Sequence, residues 1–370
     1  MTRRERFFRG ALFASVVVGL IAALEGGLWR IGWQLPGPAD VHGRWAAWHG
    51  ALMVAGFLGT LISLERAVAL RHPAGYAAPF LAGVGGLALV AGFFQSGRLL
   101  LLGGSAGLVV LMLVVVQKQR ALFTMTMLSA AVFWFMGHLL WLVGQPVPVV
   151  TWFWQAFLVL TIAGERLELG RMRRLTRRTS QAFLAVALLY ALGVLIVPFA
   201  HAVGVRLAGV GLMGLGLWLL QFDIARRTIH MQGLTRFIAA CLLPGYAWLL
   251  VGGLLALIAG FQGGGLLYDA QLHAVFVGFV FSMIFGHAPI IMPAVLGVPP
   301  FYHSRFYAHL VLLHASLIMR VGGDVLAIVP LRRWGGLLNG LAIILFFANT
   351  MLAVLQERQK RREGGALHAA

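Results

Sequence analysis

Twelve histidines and a single cysteine stand in a 370-residue chain that is 60% hydrophobic and only 11% charged. Several of the histidines fall inside long apolar runs, where a strongly polar side chain costs a few kcal/mol unless it finds a partner. A buried, neutral imidazole suits iron in heme, or copper, and the nitrogen that binds the metal must be the one without the proton. Cys241 alone can form neither an internal disulfide nor a Cys-x-x-Cys metal or redox site. Metal chemistry here therefore rests on histidine and on the 13 methionines. Of these, Met53, Met136, Met283 and Met292 are expected to fill gaps in packing.

Depth sorts the histidines. His49, His138 and His273 lie about six to eight residues from the middle of an apolar run, hence roughly 10 Å to one side of the midplane. That common level is what a planar cofactor requires of its ligands. His42 precedes His49 by seven residues and shares its helix face to within about 20°, so it is expected to support an access route or a cofactor carboxylate. A second layer is expected on the other side, where His287 and His309 fall at similar depths, with His303 and His314 on one face of their helix. His273 and His287 are 14 residues apart, about 21 Å along one helix axis, so one metal ion cannot bind both.

These residues must be held by membrane-spanning helices. Mean hydropathy is +0.89, beyond what a soluble domain carries. Runs of spanning length occur at 7 to 33, 44 to 70, 77 to 95, 98 to 117, 121 to 143, 147 to 166, 181 to 199, 203 to 222, 237 to 260, 268 to 295, 302 to 323 and 334 to 356. The expected fold class is an all-α polytopic membrane protein, one domain over residues 1–370, built as a bundle of about 12 transmembrane helices. Most of the 29 lysines and arginines fall on the side that holds both chain ends, including the cluster from Arg166 to Arg178. The positive-inside rule then puts both termini in the cytoplasm and the chain in the inner (plasma) membrane. The net charge of +18 is read as this topology signal rather than as a nucleic-acid surface. Lipid is the expected partner, and the oligomeric state stays open.

Other features have structural readings. Gly56 and Gly59, Gly103, Gly104 and Gly107, and Gly211, Gly214 and Gly216 let helices approach closely. Trp134, Trp141, Trp152 and Trp154 read as an interfacial aromatic belt. Glu65-Arg66 and Glu165-Arg166 read as interfacial ion pairs, whereas Glu25 is deeper and could relay protons. Arg320, Asp324, Arg332 and Arg333 cluster on the side expected to be poor in cations, so 324 to 333 is expected to be a short interfacial piece. His72, His230 and His368 read as incidental. No phosphate loop, GxSxG nucleophile or HExxH zinc motif is present.

The segment WHGALMVAGFLGTLISLERAV, with His49-Gly50 near its start, resembles the helix-2 histidine motif of the heme-copper oxidase catalytic subunit, which also has twelve helices. LHAVFVGFVFSMIFGHAPI is similar to the HAxxxGxxxxM…GH pattern of NnrS proteins, twelve-helix relatives described as heme- and copper-containing. The resemblance implies a low-spin heme held by His49 and His273. It further implies a role in the metabolism of nitric oxide or another small gas or redox ligand. The oxidases place copper ligands on helices 6 and 7, and runs 147 to 166 and 181 to 199 hold no histidine. The expectation is thus one heme b, with His138 in reserve. Copper is the other metal that His49, His273, His287, His309 and His314 suit. The competing expectation is a secondary transporter for a metal ion or proton-coupled solute, from the helix that Pro289 and Pro293 interrupt beside His287.

Overall fold

The structure is a computed structural model that describes residues 3–170, 176–260 and 263–367. Lipid offers no hydrogen bonds to a backbone, so each crossing must satisfy its own, and an apolar run of this length does so as a helix. The spans are α1 (Phe7–Arg30), α2 (Ala39–Leu70), α3 (Pro73–Ala91), α4 (Phe94–Lys118), α5 (Leu122–Leu142), α6 (Val147–Gly170), α7 (Arg177–Ile196), α8 (His201–Phe222), α9 (Gly233–Ala259), α10 (Leu266–Leu296), α11 (Phe306–Val325) and α12 (Val329–Lys360). No strand occurs among the described residues. Arg171, Arg173, Arg174 and His368 lie outside them.

Twelve crossings return the chain to the face it started from, here the terminal face; the other is the far face. Neighbours in sequence pack as antiparallel pairs, and α10 also meets α2 and α6. α2, α6 and α10 are the most enclosed spans, while α1, α4 and α7 keep most of their surface outward. Outward positions such as Val110, Leu188, Val203 and Ile258 are apolar and exposed, as lipid contact demands.

Two expectations about ends change. α2 begins at Ala39 rather than 44, after extended Pro38, and its added turn carries an exposed Asp40–Arg44 ion pair (3.5 Å). The stretch 324 to 333 is not a separate element: α11 runs to Val325 and α12 starts at Val329, joined by a turn in which Ala327 has φ 55°. Both prolines of α10 lie within its helix, which continues to Leu296.

Small residues set the helix spacing, as expected. A Cβ on Gly86 of α3 would sit 2.8 Å from the Gly56 Cα of α2. Gly86→Val should therefore force α2 and α3 apart and destabilise the protein by about 1–3 kcal/mol. Thermal unfolding in detergent measures this, and an unchanged midpoint would show that the contact sets nothing.

Candidate functional site

α2 and α10 share an irregularity. Each leaves α-geometry for a π-helical stretch shortly after a histidine: Leu52–Gly59 follows His49, and Ala274–Phe281 follows His273. A π-turn closes i→i+5 hydrogen bonds and so winds less per residue. In a uniform α-helix, residues eight apart diverge by about 80°; the slower winding turns them back toward one face. Phe57 and Phe281 lie eight residues after the two histidines, and both pairs meet. The His49 and His273 rings are 6.4 Å apart at 16°, and the Phe57 and Phe281 rings 6.0 Å apart at 17°.

Each histidine is held by its backbone-side nitrogen. His49 Nδ1 donates to the Ala23 carbonyl of α1 at 2.6 Å, and His273 Nδ1 donates to the Asp269 carbonyl at 2.7 Å. A carbonyl only accepts, so Nδ1 carries the proton and Nε2 keeps its lone pair. Both rings line a cavity of about 530 Å³ in the far-face half of the bundle. Gly27 of α1 makes room for His49, since a Cβ there would sit 2.7 Å from the ring.

The cavity is mostly apolar, with Met53, Trp141, Trp154 and Phe281 among its walls, but three guanidinium groups also line it: Arg30, Arg320 and Arg332. Asp269 ties Arg320 (3.0 Å) and Arg332 (3.3 Å) together and sits 3.5 Å from His273 Nδ1. Asp324 takes Arg332 Nε at 2.6 Å. Asp269 and Asp324 offset two of these three cations, which leaves one positive charge in excess at the cavity. The signal of Arg320 and Arg332 was visible in sequence, as the charged cluster on the side otherwise poor in cations.

The other expected residues are elsewhere. His42 is buried against Glu25, 2.6 Å from its carboxylate, stacked on Trp29, and does not line the cavity. The deep Glu25 thus has its partner. His138 stands behind Trp141 and Trp154; its Nδ1 donates to the Trp134 carbonyl (2.9 Å) and its buried Nε2 has no hydrogen-bond partner among the described residues. The aromatic belt is corrected too: Trp134, Trp141, Trp152 and Trp154 are all buried, and three of them pack around His138.

His287, His309 and His314 each have partners of their own. His287 donates from Nδ1 to the Met283 carbonyl (2.7 Å) and accepts from Arg166 at 3.3 Å. His309 pairs with Asn349 (3.2 Å), and His314 accepts from Trp248 Nε1 (3.0 Å). Among the described residues, no three His, Cys, Asp or Glu side chains converge on a metal-sized point.

The expected Glu165-Arg166 pair is exchanged for two interhelical ones. Arg66 of α2 binds both Glu65 (3.2 Å) and Glu165 of α6. Arg166, itself buried, forms a two-pronged bond with Asp223 at 2.8 and 3.0 Å. Near them a second cavity, about 100 Å³, opens in the terminal-face half, with Glu65, Glu165 and His287 at its polar end. Phe57 lines this cavity and Phe281 the other, so their stack stands between the two.

The chain belongs to the family described as Domain of unknown function (DUF8744), whose profile matches residues 9–355. Comparison with curated proteins finds no match.

Removing one member of a buried, hydrogen-bonded ion pair strands the other charge, at about 3–5 kcal/mol. Asp223→Asn should therefore destabilise the bundle by about that amount, whereas Asp40→Asn in the exposed pair should change stability by less than about 1 kcal/mol. Comparing the two variants' unfolding in one detergent checks both, and equal effects would contradict the burial argument.

Proposed function

We propose that this protein holds one b-type heme between α2 and α10, with His49 and His273 as axial ligands, and serves one-electron transfer in the membrane. The observation that carries this is the facing histidine pair. Two iron–nitrogen bonds of about 2 Å, with about 1.1 Å from each nitrogen to its ring centre, call for centroids about 6 Å apart; the rings stand 6.4 Å apart. Both have Nδ1 engaged and Nε2 available, the tautomer that iron needs.

The surroundings suit the group. A cavity of about 530 Å³ flanks the pair, far more than an ion requires, and Arg30, Arg320 and Arg332 can take a porphyrin's two carboxylates. A linear two-coordinate copper ion would accept the same ring separation but would leave that volume and those cations without a role. When bound, heme supplies a one-electron couple, which axial basicity and nearby charge tune. The Ala23 and Asp269 carbonyls orient the rings and raise their basicity, and the guanidinium groups favour the reduced, less positive state.

If His49 and His273 both hold the iron, binding nitric oxide or another gas there would require one histidine to leave. Electron transfer needs no such step and is the reading favoured here. The transporter reading is weaker, because the Phe57–Phe281 stack stands between the two cavities and no multidentate cation site occurs among the described residues. The lysine and arginine bias supports placing the terminal face in the cytoplasm and the protein in the plasma membrane.

Protein purified from heme-replete cells should carry one iron per chain and a Soret band that shifts on reduction. His49→Ala and His273→Ala should each lower heme content at least about tenfold, an effect of about 1.4 kcal/mol or more in binding, while His287→Ala keeps it. A colourless preparation, or full heme retention in both His49 and His273 variants, would overturn the assignment.

A further inference from the structure

The two facing rings are alike in tautomer but unlike in what stands behind them. His49 has one neutral acceptor, the Ala23 carbonyl at 2.6 Å, and Glu25, the carboxylate two residues on in α1, is taken by His42 at 2.6 Å. His273 has a carbonyl and a carboxylate from one residue. The Asp269 carbonyl accepts from Nδ1 at 2.7 Å, and Asp269 Oδ1 lies 3.5 Å from the same nitrogen. Residues four apart on a helix are neighbours, so the Asp269 side chain falls beside the ring that its own backbone holds.

The second oxygen of that carboxylate is used differently. Oδ2 accepts from Arg320 Nη2 of α11 at 3.0 Å and from Arg332 Nη2 of α12 at 3.3 Å. One carboxylate therefore stands between an imidazole and two guanidinium groups, and all four side chains line the far-face cavity. They are mostly shielded from solvent, where charges are little screened. The site asks for opposite things at one place. Cations are needed in the wall to receive a porphyrin's carboxylates, but a bare guanidinium beside His273 would draw electron density from the ring and weaken its lone pair toward a metal. A carboxylate at the N–H side of a ligating histidine does the reverse.

We propose that Asp269 is a positioning residue of the histidine pair, holding Arg320 and Arg332 in the cavity wall through Oδ2 while Oδ1 offsets their charge at His273. His273 thereby stays a strong ligand beside cations. This role rests on the heme reading, belongs to the side chain rather than to the carbonyl, and acts on His273 and not on His49.

The test titrates hemin into the detergent-purified full chain. Asp269→Asn should weaken hemin binding about tenfold more in the His49→Ala background, where His273 is the remaining ligand, than in the His273→Ala background; that difference is the coupling between Asp269 and His273. With both histidines present, Asp269→Asn removes a negative charge beside the ligand and so should favour ferrous heme about tenfold, a rise in potential of about 59 mV. Asp269→Glu, which keeps the charge, should retain most of the native potential. A role confined to folding would weaken hemin binding alike in both backgrounds. Equal effects there, or an unaltered potential in an Asp269→Asn protein that keeps its heme, would overturn the role of Asp269 and leave the heme reading standing. Wild type without saturable hemin binding would overturn both. If Asp269→Asn does not fold, adding Arg320→Gln restores the charge balance, and equal effects of that double substitution in the two backgrounds overturn the role alone.

Discussion

Lipid cannot solvate a backbone amide or a charge, and that constraint governs the molecule. It makes every crossing a helix and sends several of the charges in the spans to partners inside the bundle. Arg166 meets Asp223, Arg66 bridges α2 to α6, and Asp269 joins α10 to Arg320 and Arg332. Each ion pair fixes two helices at one height, because a slip of one turn would strand a charge. The pairs therefore act less as net stabilisation than as registration between spans.

That registration matters most for α2 and α10. Their π-helical stretches bring His49 over His273 and Phe57 over Phe281 in one arrangement. The two helices thus present the same residue pattern to each other, with a cavity on either side of the phenylalanine stack. Cations surround the far-face cavity, and carboxylates with an imidazole end the terminal-face one. Under the heme reading proposed above, the far-face side is given a field that favours added negative charge.

The aromatic cluster around His138 shows how composition can mislead. Four tryptophans near the far ends of α5 and α6 have the distribution of an interfacial belt, but α5 and α6 turn them inward, where Trp141 and Trp154 wall the cavity and, with Trp134, enclose His138. Depth alone made His138 equivalent to His49 and His273. Only the direction of the side chain distinguishes a ring behind Trp154 from a ring that lines the cavity.

Composition and hydropathy by themselves determined the class, the twelve spans and the even crossing number, because a bilayer's thickness translates directly into run length. Depth along a helix was also legible, since the rise per residue is constant; it put His49 and His273 at one level. The rotation of each helix about its axis was not legible, because the π-stretches change the winding without any marker in the residue types. Nor was the choice of partner among charges of similar depth, so the adjacent Glu165-Arg166 read as a pair when each reaches a different helix. Arg320 and Arg332 stood out only as misplaced charge, and Asp269, about fifty residues before them, did not stand out at all. Their convergence on one cavity was decided by tertiary packing, because lateral helix order in a membrane depends on contacts between faces, which no single span encodes.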